Sequence, residues 1–188
     1  IPLRLVGSEM SIRARVSLLH GVTGSGKTQV FLRLIEETLS RGRAALVLIP
    51  EISLTPQTVS KFSARFGSLV AVLHSSLSMT ERFDEWQRIR GGAARIVVGT
   101  RSAVMAPLEN IGLIVIDEEQ EHTYHSESAP RYHARDIAKH RAVRHRAHLL
   151  LCSATPSIES YYYALSGKYH LACLPERYSG NLLPEVCL

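Results

Sequence analysis

Short apolar runs alternate along the chain with longer segments in which apolar residues recur at helical spacing. The runs are rich in branched side chains and nearly continuous, which is typical of strands buried on both faces of a sheet. They predict strands at residues 16–19, 45–49, 69–73, 96–98, 113–116 and 148–152. The segments between them predict helices at residues 28–40, 55–66, 80–90, 131–145 and 156–165. Strands that alternate with helices predict an α/β domain with a mostly parallel sheet and helices on both faces.

The length of 188 residues suits one well-buried domain. We expect an ill-defined extension at residues 1–15, the domain itself at 16–174, and an irregular tail at 175–188. Proline and glycine interrupt the tail, and we expect no regular structure after Gly167. The first residue is Ile rather than Met, which indicates a fragment or a processed start.

Composition narrows the class of protein only a little. Lysine and arginine number 22 against 17 acidic residues, so the chain is mildly basic, which suits a polyanionic partner without requiring one. No apolar run approaches the roughly 20 residues that a membrane helix needs, and we expect a cytoplasmic protein that does not enter the membrane. Cys152, Cys173 and Cys187 are widely spaced, which favours buried, reduced thiols over a zinc site or a disulfide framework.

A phosphate-binding loop lies between the first predicted strand and the first predicted helix. The sequence of residues 21–28 is GVTGSGKT, which has the spacing Gly-x4-Gly-Lys-Ser/Thr. Glycines allow backbone N–H groups to turn towards phosphate oxygens, and the helix that follows presents its positive end to the same anion. Lys27 is expected to reach the β- and γ-phosphates, and Thr28 to contact Mg²⁺. The predicted nucleotide-binding residues are Gly21, Val22, Thr23, Gly24, Ser25, Gly26, Lys27 and Thr28.

Acidic residues follow the predicted strand at 113–116. They stand at its carboxyl end, where open α/β sheets bind their ligands. We expect Asp117 to hold Mg²⁺. We expect Glu118 to orient and deprotonate the attacking water, which indicates hydrolysis rather than transfer to an acceptor. The predicted catalytic residues are therefore Lys27, Asp117 and Glu118.

Together with five further blocks, these two motifs resemble the motor of superfamily-two DNA helicases, and within them the bacterial replication-restart helicases. The further blocks read LIPEISLTPQ (48–57), LHSSLS (73–78), VGTRSAVMAP (98–107), PRYHARD (130–136) and SATPSIES (153–160). The resemblance implies a RecA-like fold, use of ATP and Mg²⁺, and 3′-to-5′ unwinding at stalled forks. It implies single-stranded and forked DNA and other primosome proteins as partners.

The resemblance also assigns residues to DNA. It implies that Glu51, Thr55, Thr100, Arg101 and Ser102 contact the strand, although Thr55 and Ser102 are equally suited to capping helices. The stretch 121–136 resembles an aromatic-rich loop in which side chains stack on bases or pair with phosphates, although a plain surface loop has the same composition. The DNA-contacting residues implied in this stretch are Tyr124, Arg131, Tyr132 and Arg135.

Three residues are implied to couple hydrolysis to strand movement. Ser153 and Thr155 belong to the block SAT, which also suits an ordinary strand-to-helix turn. Gln120 stands where the replication-restart helicases have histidine, and it retains hydrogen bonding but cannot be protonated. Residues 1–28 contain no glutamine of the kind that reads adenine in the family. The family's zinc-binding region and second motor lobe have no counterpart in this sequence.

Two other classes of function remain open on the residues alone. One is a degenerate module that holds nucleotide or DNA without catalysis. The other is a small-molecule kinase or a GTPase, but the sequence has neither the guanine-reading Asn-Lys-x-Asp nor an arginine-rich lid. We expect the chain by itself to bind nucleotide weakly, to hydrolyse it very slowly and not to unwind DNA, because an arginine from a second lobe contributes roughly 10³–10⁵ in rate.

Overall fold

A parallel sheet of seven strands organises the part of the chain that the structure describes. The structure, a computed structural model, describes residues 16–177. The strands lie in the order β3-β4-β2-β5-β6-β1-β7, and each neighbouring pair is parallel. They are β1 Val16–Gly21, β2 Ala44–Leu48, β3 Val70–Leu73, β4 Ile96–Gly99, β5 Ile111–Ile116, β6 His148–Ser153 and β7 His170–Leu174. The six predicted strands and the predicted α/β class are confirmed.

Five helices cover the two faces of the sheet. They are α1 Lys27–Ser40, α2 Pro56–Phe66, α3 Met79–Arg90, α4 Ala134–His145 and α5 Ile158–Leu165. Side chains of β2 alternate between two cores: Leu46 and Leu48 join the cluster that includes α4, whereas Val47 joins Phe31 of α1 and Phe62 of α2. This two-sided burial explains why the strand sequences are continuously apolar. No helix within residues 16–177 is long and apolar enough to cross a membrane.

Three helices begin at other residues than the sequence predicts. The capping residue of α3 is Ser78 rather than Thr80, because its Oγ accepts from the Glu81 N–H while the Glu81 carboxylate accepts from the Ser78 N–H. Helix α4 begins at Ala134, after residue 133, instead of at 131. Helix α5 begins after Ser157, two residues beyond the predicted start at 156.

The segment after Gly167 was predicted to be irregular, and this was wrong. Residues His170–Leu174 form β7, which pairs with β1 at the edge of the sheet. An edge strand has one neighbour and is only partly buried, so its apolar pattern is weak. Cys173 on this strand is exposed, contrary to the expected burial, whereas Cys152 is buried. The predicted extension at 1–15, residues 178–188 of the tail, and Cys187 lie outside the described residues.

Parallel pairing brings the carboxyl ends of all seven strands to one edge of the sheet. The phosphate loop follows β1, the acidic residues follow β5, and Ser153 ends β6. The two stretches implied in DNA contact, which include Glu51 and Arg101, follow β2 and β4. One edge therefore carries every motif that the sequence singles out.

Candidate active site at the carboxyl edge of the sheet

The phosphate loop has the backbone that an anion site requires. It leaves β1 at Gly21 and enters α1 at Lys27. Gly24 and Gly26 have φ values of 79° and 87°, a left-handed conformation that glycine adopts without steric cost. A Cβ at Gly21 would approach Ser25 Oγ to 2.6 Å, so the loop also needs glycine for lack of space. The Ser25 hydroxyl is buried and has no hydrogen-bond partner among the described residues.

Lys27 connects the loop to the acidic residues across the edge. Its Nζ donates to the Gly21 carbonyl at 2.7 Å and lies 3.9 Å from Glu118 Oε1. The lysine side chain is 10 % exposed, so its charge sits in a largely enclosed place. The phosphate loop and the acidic turn therefore face one cleft.

The acidic residues form a tight turn directly after β5. The Glu121 N–H donates to the Glu118 carbonyl at 3.0 Å, and Glu118 has a φ of 44°, which non-glycine residues rarely adopt. Burial and the neighbouring Glu118 carboxylate raise the pKa of Asp117 to about 6, although Lys27 acts in the opposite direction. A carboxylate with this pKa gains from a cation, and a divalent metal would favour its ionised form.

The three residues implied in coupling form one hydrogen-bonded chain. The Thr155 N–H donates to Ser153 Oγ at 2.9 Å, and the Ser153 hydroxyl donates to Gln120 Oε1 at 2.6 Å. The Gln120 amide then donates to Glu118 Oε2 at 3.2 Å. The end of β6 is thus linked to the predicted general base, and Gln120 makes this link without carrying a charge.

Glu119 is a site residue for which the sequence analysis gave no role. Its side chain is 0 % exposed. It accepts hydrogen bonds from Ser157 and Ser160 at the start of α5 and forms an ion pair with Arg135 of α4. The pair of serines three residues apart after residue 156 predicts a helix start, but it does not indicate which distant side chain contacts them. The third acid was overlooked because the two acids before it were assigned to the cleft and the glutamine after it to coupling.

The residues implied in DNA contact after β2 remain accessible. Glu51 is exposed in a short 3₁₀ turn at Glu51–Ser53. Thr55 is half-buried, and its Oγ1 accepts from the Thr58 N–H at 3.2 Å, so it caps α2. The capping alternative is therefore realised for Thr55, and capping does not prevent a further contact with a ligand.

After β4 the three implied residues have different surroundings. Ser102 is exposed, whereas Thr100 is only 4 % exposed and sits at the start of the 3₁₀ turn Arg101–Met105. The Arg101 Nη1 donates to the carbonyls of Thr123 and His125 at 3.1 and 2.5 Å. The guanidinium therefore fastens the segment after β5 to the end of β4, and the burial of Thr100 is at odds with a direct side-chain contact to DNA.

The Tyr124 ring is not exposed, as stacking on a base would require. Its ring is 1 % exposed, and its hydroxyl lies 2.6 Å from the Asp117 carbonyl and 3.1 Å from the Leu48 carbonyl. Burial, together with the nearby Asp117 carboxylate, raises the pKa of its hydroxyl far above the usual value, so the group stays a donor. We correct the implied role: Tyr124 supports the acidic turn from within the core.

Of the other three residues of the stretch, one lies in the interior and two are accessible. Arg135 points inward, where its Nη1 pairs with the Glu119 carboxylate at 2.9 Å, so the implied phosphate contact is corrected as well. Arg131 is exposed, and its Nε donates to the Glu127 carbonyl. Tyr132 is half-buried at the margin of the core. Only Arg131 and Tyr132 remain open to a ligand.

Comparison with known proteins decides the family. Residues 8–162 match the family model described as DEAD/DEAH box helicase, which is most of the chain. The chain belongs to the DEAD/DEAH box helicase family. Members of this family use a nucleotide and Mg²⁺, and the loop and acidic turn described above are the parts of this DEAD/DEAH box domain that face the common cleft.

Curated relatives of this DEAD/DEAH box domain carry the name "Replication restart protein PriA". The protein from Bacillus subtilis (strain 168) is 53% identical over 174 residues, which are 93% of this chain and 22% of the relative. The protein from Treponema pallidum (strain Nichols) is 46% identical over 94% of this chain and 27% of its own length. The chain thus spans about a fifth to a quarter of the length of these relatives, and the resemblance to replication-restart helicases is confirmed.

Solved structures confirm the RecA-like fold. The chain is similar to RecG in a structure titled as bound to a three-way DNA junction, with a TM-score of 0.61 and 23% identity over 91% of this chain and 21% of that chain. It is similar to the Hef helicase domain of Pyrococcus furiosus, with a TM-score of 0.60 and 22% identity over 90% of this chain and 36% of that one.

The residues of the cleft fit a nucleotide triphosphate with Mg²⁺. The buried Ser25 hydroxyl without a partner, the left-handed glycines and Lys27 supply donors and positive charge for phosphate oxygens. Thr28, in the first turn of α1, and Asp117 carry oxygen atoms of the kind that would suit Mg²⁺. Within residues 16–177 no cluster of three or more His, Cys, Asp or Glu side chains is arranged to hold a metal by itself.

Proposed function

We propose that this chain is the ATP-binding motor lobe of an ATP-dependent 3′-to-5′ DNA helicase that acts in replication restart. The observation that carries the proposal is the distance of 3.9 Å between Lys27 Nζ and Glu118 Oε1, which joins the phosphate loop and the acidic turn in one cleft. The name of the relatives, which match over about nine-tenths of this chain, supports the biological setting. In this proposal residues 16–174 form the lobe and 175–188 lead towards a second lobe.

Hydrolysis requires three roles in the cleft. Lys27 and the loop N–H groups bind the β- and γ-phosphates, and Glu118 orients and deprotonates the attacking water. Thr28 and Asp117 hold Mg²⁺, which supplies positive charge against the phosphate oxygens. Ser153, Thr155 and Gln120 connect Glu118 to the end of β6, so a shift of the cleft walls changes the environment of the base.

Single-stranded or forked DNA is proposed to lie along the same edge. Glu51, Thr55, Ser102, Arg131 and Tyr132 offer polar groups, one negative and one positive charge, and one ring on the loops after β2, β4 and β5. Hydroxyls and backbone N–H groups at helix starts suit phosphate oxygens, and Tyr132 suits stacking. Arg101 contributes positive charge while it holds the neighbouring segment. The wider proposal includes action in the cytoplasm with other primosome proteins, with any zinc site elsewhere in the longer protein.

The test is hydrolysis of ATP by the chain, with and without single-stranded DNA, beside Glu118→Gln. We expect slow hydrolysis that rises with DNA, and a loss of both in the variant. We also expect DNA affinity to fall as salt rises, since phosphate contacts release counterions. Binding of ATP and DNA without hydrolysis, in this chain and in a version joined to a second lobe, would instead support a degenerate binding module.

A further inference from the structure

The third acid of the turn is buried and anchored by groups of α4 and α5. Glu119 Oε1 accepts from the Ser157 N–H at 2.7 Å. Its Oε2 lies 3.0 Å from Ser160 Oγ, 3.2 Å from Ser157 Oγ and 2.9 Å from Arg135 Nη1. Both oxygens are therefore satisfied by groups of α4 and α5, and the carboxylate stands at the positive end of α5.

The backbone of the same residue is fixed as well. The Glu119 N–H donates to the Cys152 carbonyl of β6 at 3.1 Å, and the Asp117 N–H donates to the Leu48 carbonyl of β2 at 2.9 Å. Glu118 lies between these two attachments. Its φ of 44° is unfavourable for a residue with a side chain, so its conformation persists only because its neighbours are held.

Charge gives a second reason for the anchor. The turn carries three carboxylates in succession, and Asp117 and Glu118 already face one cleft. Without its partners, Glu119 would gain solvation by turning outwards, and a third negative charge would then oppose the phosphates. The pair with Arg135 keeps that charge buried.

We propose that Glu119, held by Arg135 and the start of α5, is a positioning residue that sets the place of the Glu118 carboxylate. The proposal rests on the proposed function, in which Glu118 acts on the attacking water. Glu119 itself touches neither the cleft nor its ligands. It acts through the two backbone hydrogen bonds on either side of Glu118, and through Gln120, which donates a hydrogen bond to Glu118 Oε2.

The arrangement of Arg135 predicts which substitutions are tolerated. All of its contacts to Glu119, Ser157 and Ser160 are made by Nη1, while its buried Nε has no hydrogen-bond partner among the described residues. A lysine ammonium can replace a single donating nitrogen, although it cannot replace a bidentate guanidinium. Arg135→Lys should therefore retain the function of the anchor, and Arg135→Met should not.

The experiment measures single-turnover hydrolysis of ATP and equilibrium binding of a fluorescent ATP analogue at a temperature where every variant is folded. The variants are Glu119→Gln, Arg135→Lys and Arg135→Met. The control is Glu36→Gln, which neutralises the acid of the pair Arg65–Glu36, an ion pair of 2.6 Å between the exposed faces of α2 and α1. Far-UV circular dichroism and thermal melting establish that each variant is folded.

We expect Glu119→Gln and Arg135→Met to lower the hydrolysis rate by roughly 10- to 100-fold, because a small misplacement of a catalytic group has effects of this size. Nucleotide affinity should stay within about twofold, because the phosphate loop is untouched, and Arg135→Lys should stay near the wild-type rate. A fall of rate and affinity together, or a rate equal to that of the control, would overturn the proposal.

A second readout separates this proposal from the function on which it rests. If the wild-type protein hydrolyses ATP no faster than Lys27→Ala, both as this chain and joined to a second lobe, the proposed function fails. Amide hydrogen exchange at residues 117–120 then decides the anchor by itself. Faster exchange there in Glu119→Gln than in Glu36→Gln supports the anchor, and equal exchange overturns it.

Discussion

The phosphate loop and the stretch 121–136 lie on the same edge of the sheet, but their sequences are informative to very different degrees. In the loop, the residue types are fixed by the backbone: Gly24 and Gly26 adopt positive φ, and Lys27 lies beside Glu118. In the stretch 121–136, aromatic and basic residues suit both a ligand and the interior. Tyr124 and Arg135 turned out to serve the interior. A motif is predictable when its chemistry constrains the main chain, and ambiguous when it constrains only the side-chain type.

Removal of the positive charge from the phosphate loop should have the largest effect. Lys27→Ala should weaken nucleotide binding by about 100-fold or more, because a buried cation that faces phosphates is lost. Fluorescence titration with a nucleotide analogue measures the change. Lys61→Ala, an exposed lysine on α2, is the matched control. Affinity that survives in Lys27→Ala would contradict the assigned role.

The two tyrosines of the stretch 121–136 should respond differently to substitution. Tyr124→Ala should lower the free energy of unfolding by about 3–5 kcal/mol, because it empties a buried site and removes the hydroxyl that lies within hydrogen-bonding distance of the Asp117 and Leu48 carbonyls. Tyr132→Ala should lower the free energy of unfolding by less. It should weaken the binding of single-stranded DNA by about 1–3 kcal/mol, the usual contribution of one stacked base. Chemical denaturation and fluorescence anisotropy measure the two effects. Exchanged outcomes would restore Tyr124 as a DNA contact.

The raised pKa of Asp117 predicts a pH dependence of stability. The folded-state pKa of Asp117, about 6, lies above the ordinary aspartate pKa of 3.8, so between these pH values the folded protein binds more protons than the unfolded one. The stabilisation is full below pH 3.8 and is lost as the pH rises through 6. Asp117→Asn should therefore increase stability at pH 8, by about 3 kcal/mol at most, and not at pH 4. The exposed Asp84→Asn on α3 serves as the control in thermal melts, and an equal change at both pH values would contradict the burial of Asp117.

The smallest expected effect concerns Thr55, for which the sequence left capping and DNA contact open. Thr55→Ala should lower the free energy of unfolding by about 1 kcal/mol, because the Thr58 N–H loses its acceptor. Thr55→Ser keeps the cap and should restore stability. DNA affinity measured on both variants separates the two roles: a loss in Thr55→Ala that Thr55→Ser reverses, at a temperature where both are folded, supports direct contact.

The elements of the fold that could be predicted are those whose burial produces a clear apolar pattern in the sequence. Six strands buried on two faces are continuously apolar, and they were found. The edge strand β7 was missed because it is half-exposed and has a single neighbour. Helix α5 was placed two residues early because Pro156 was taken as the start, whereas Ser157 is the cap.

The candidate site followed the same rule. The nucleotide-facing residues came from a motif whose spacing reflects backbone geometry. The role of Glu119 could not be predicted, because its partners Arg135, Ser157 and Ser160 lie 16, 38 and 41 positions away. Such a contact depends on how α4 and α5 pack against the end of β5, and the local sequence pattern does not contain that information.

Calorimetric titration of ATP into wild-type protein and Asp117→Asn, each with and without Mg²⁺, tests most directly whether the loop and the acidic turn share one nucleotide and its metal. We predict that Mg²⁺ tightens ATP binding about tenfold or more in the wild type at pH 8, and that this gain disappears in Asp117→Asn while metal-free affinity is retained. An equal gain from Mg²⁺ in both proteins would show that Asp117 is not part of the site, and would contradict the account.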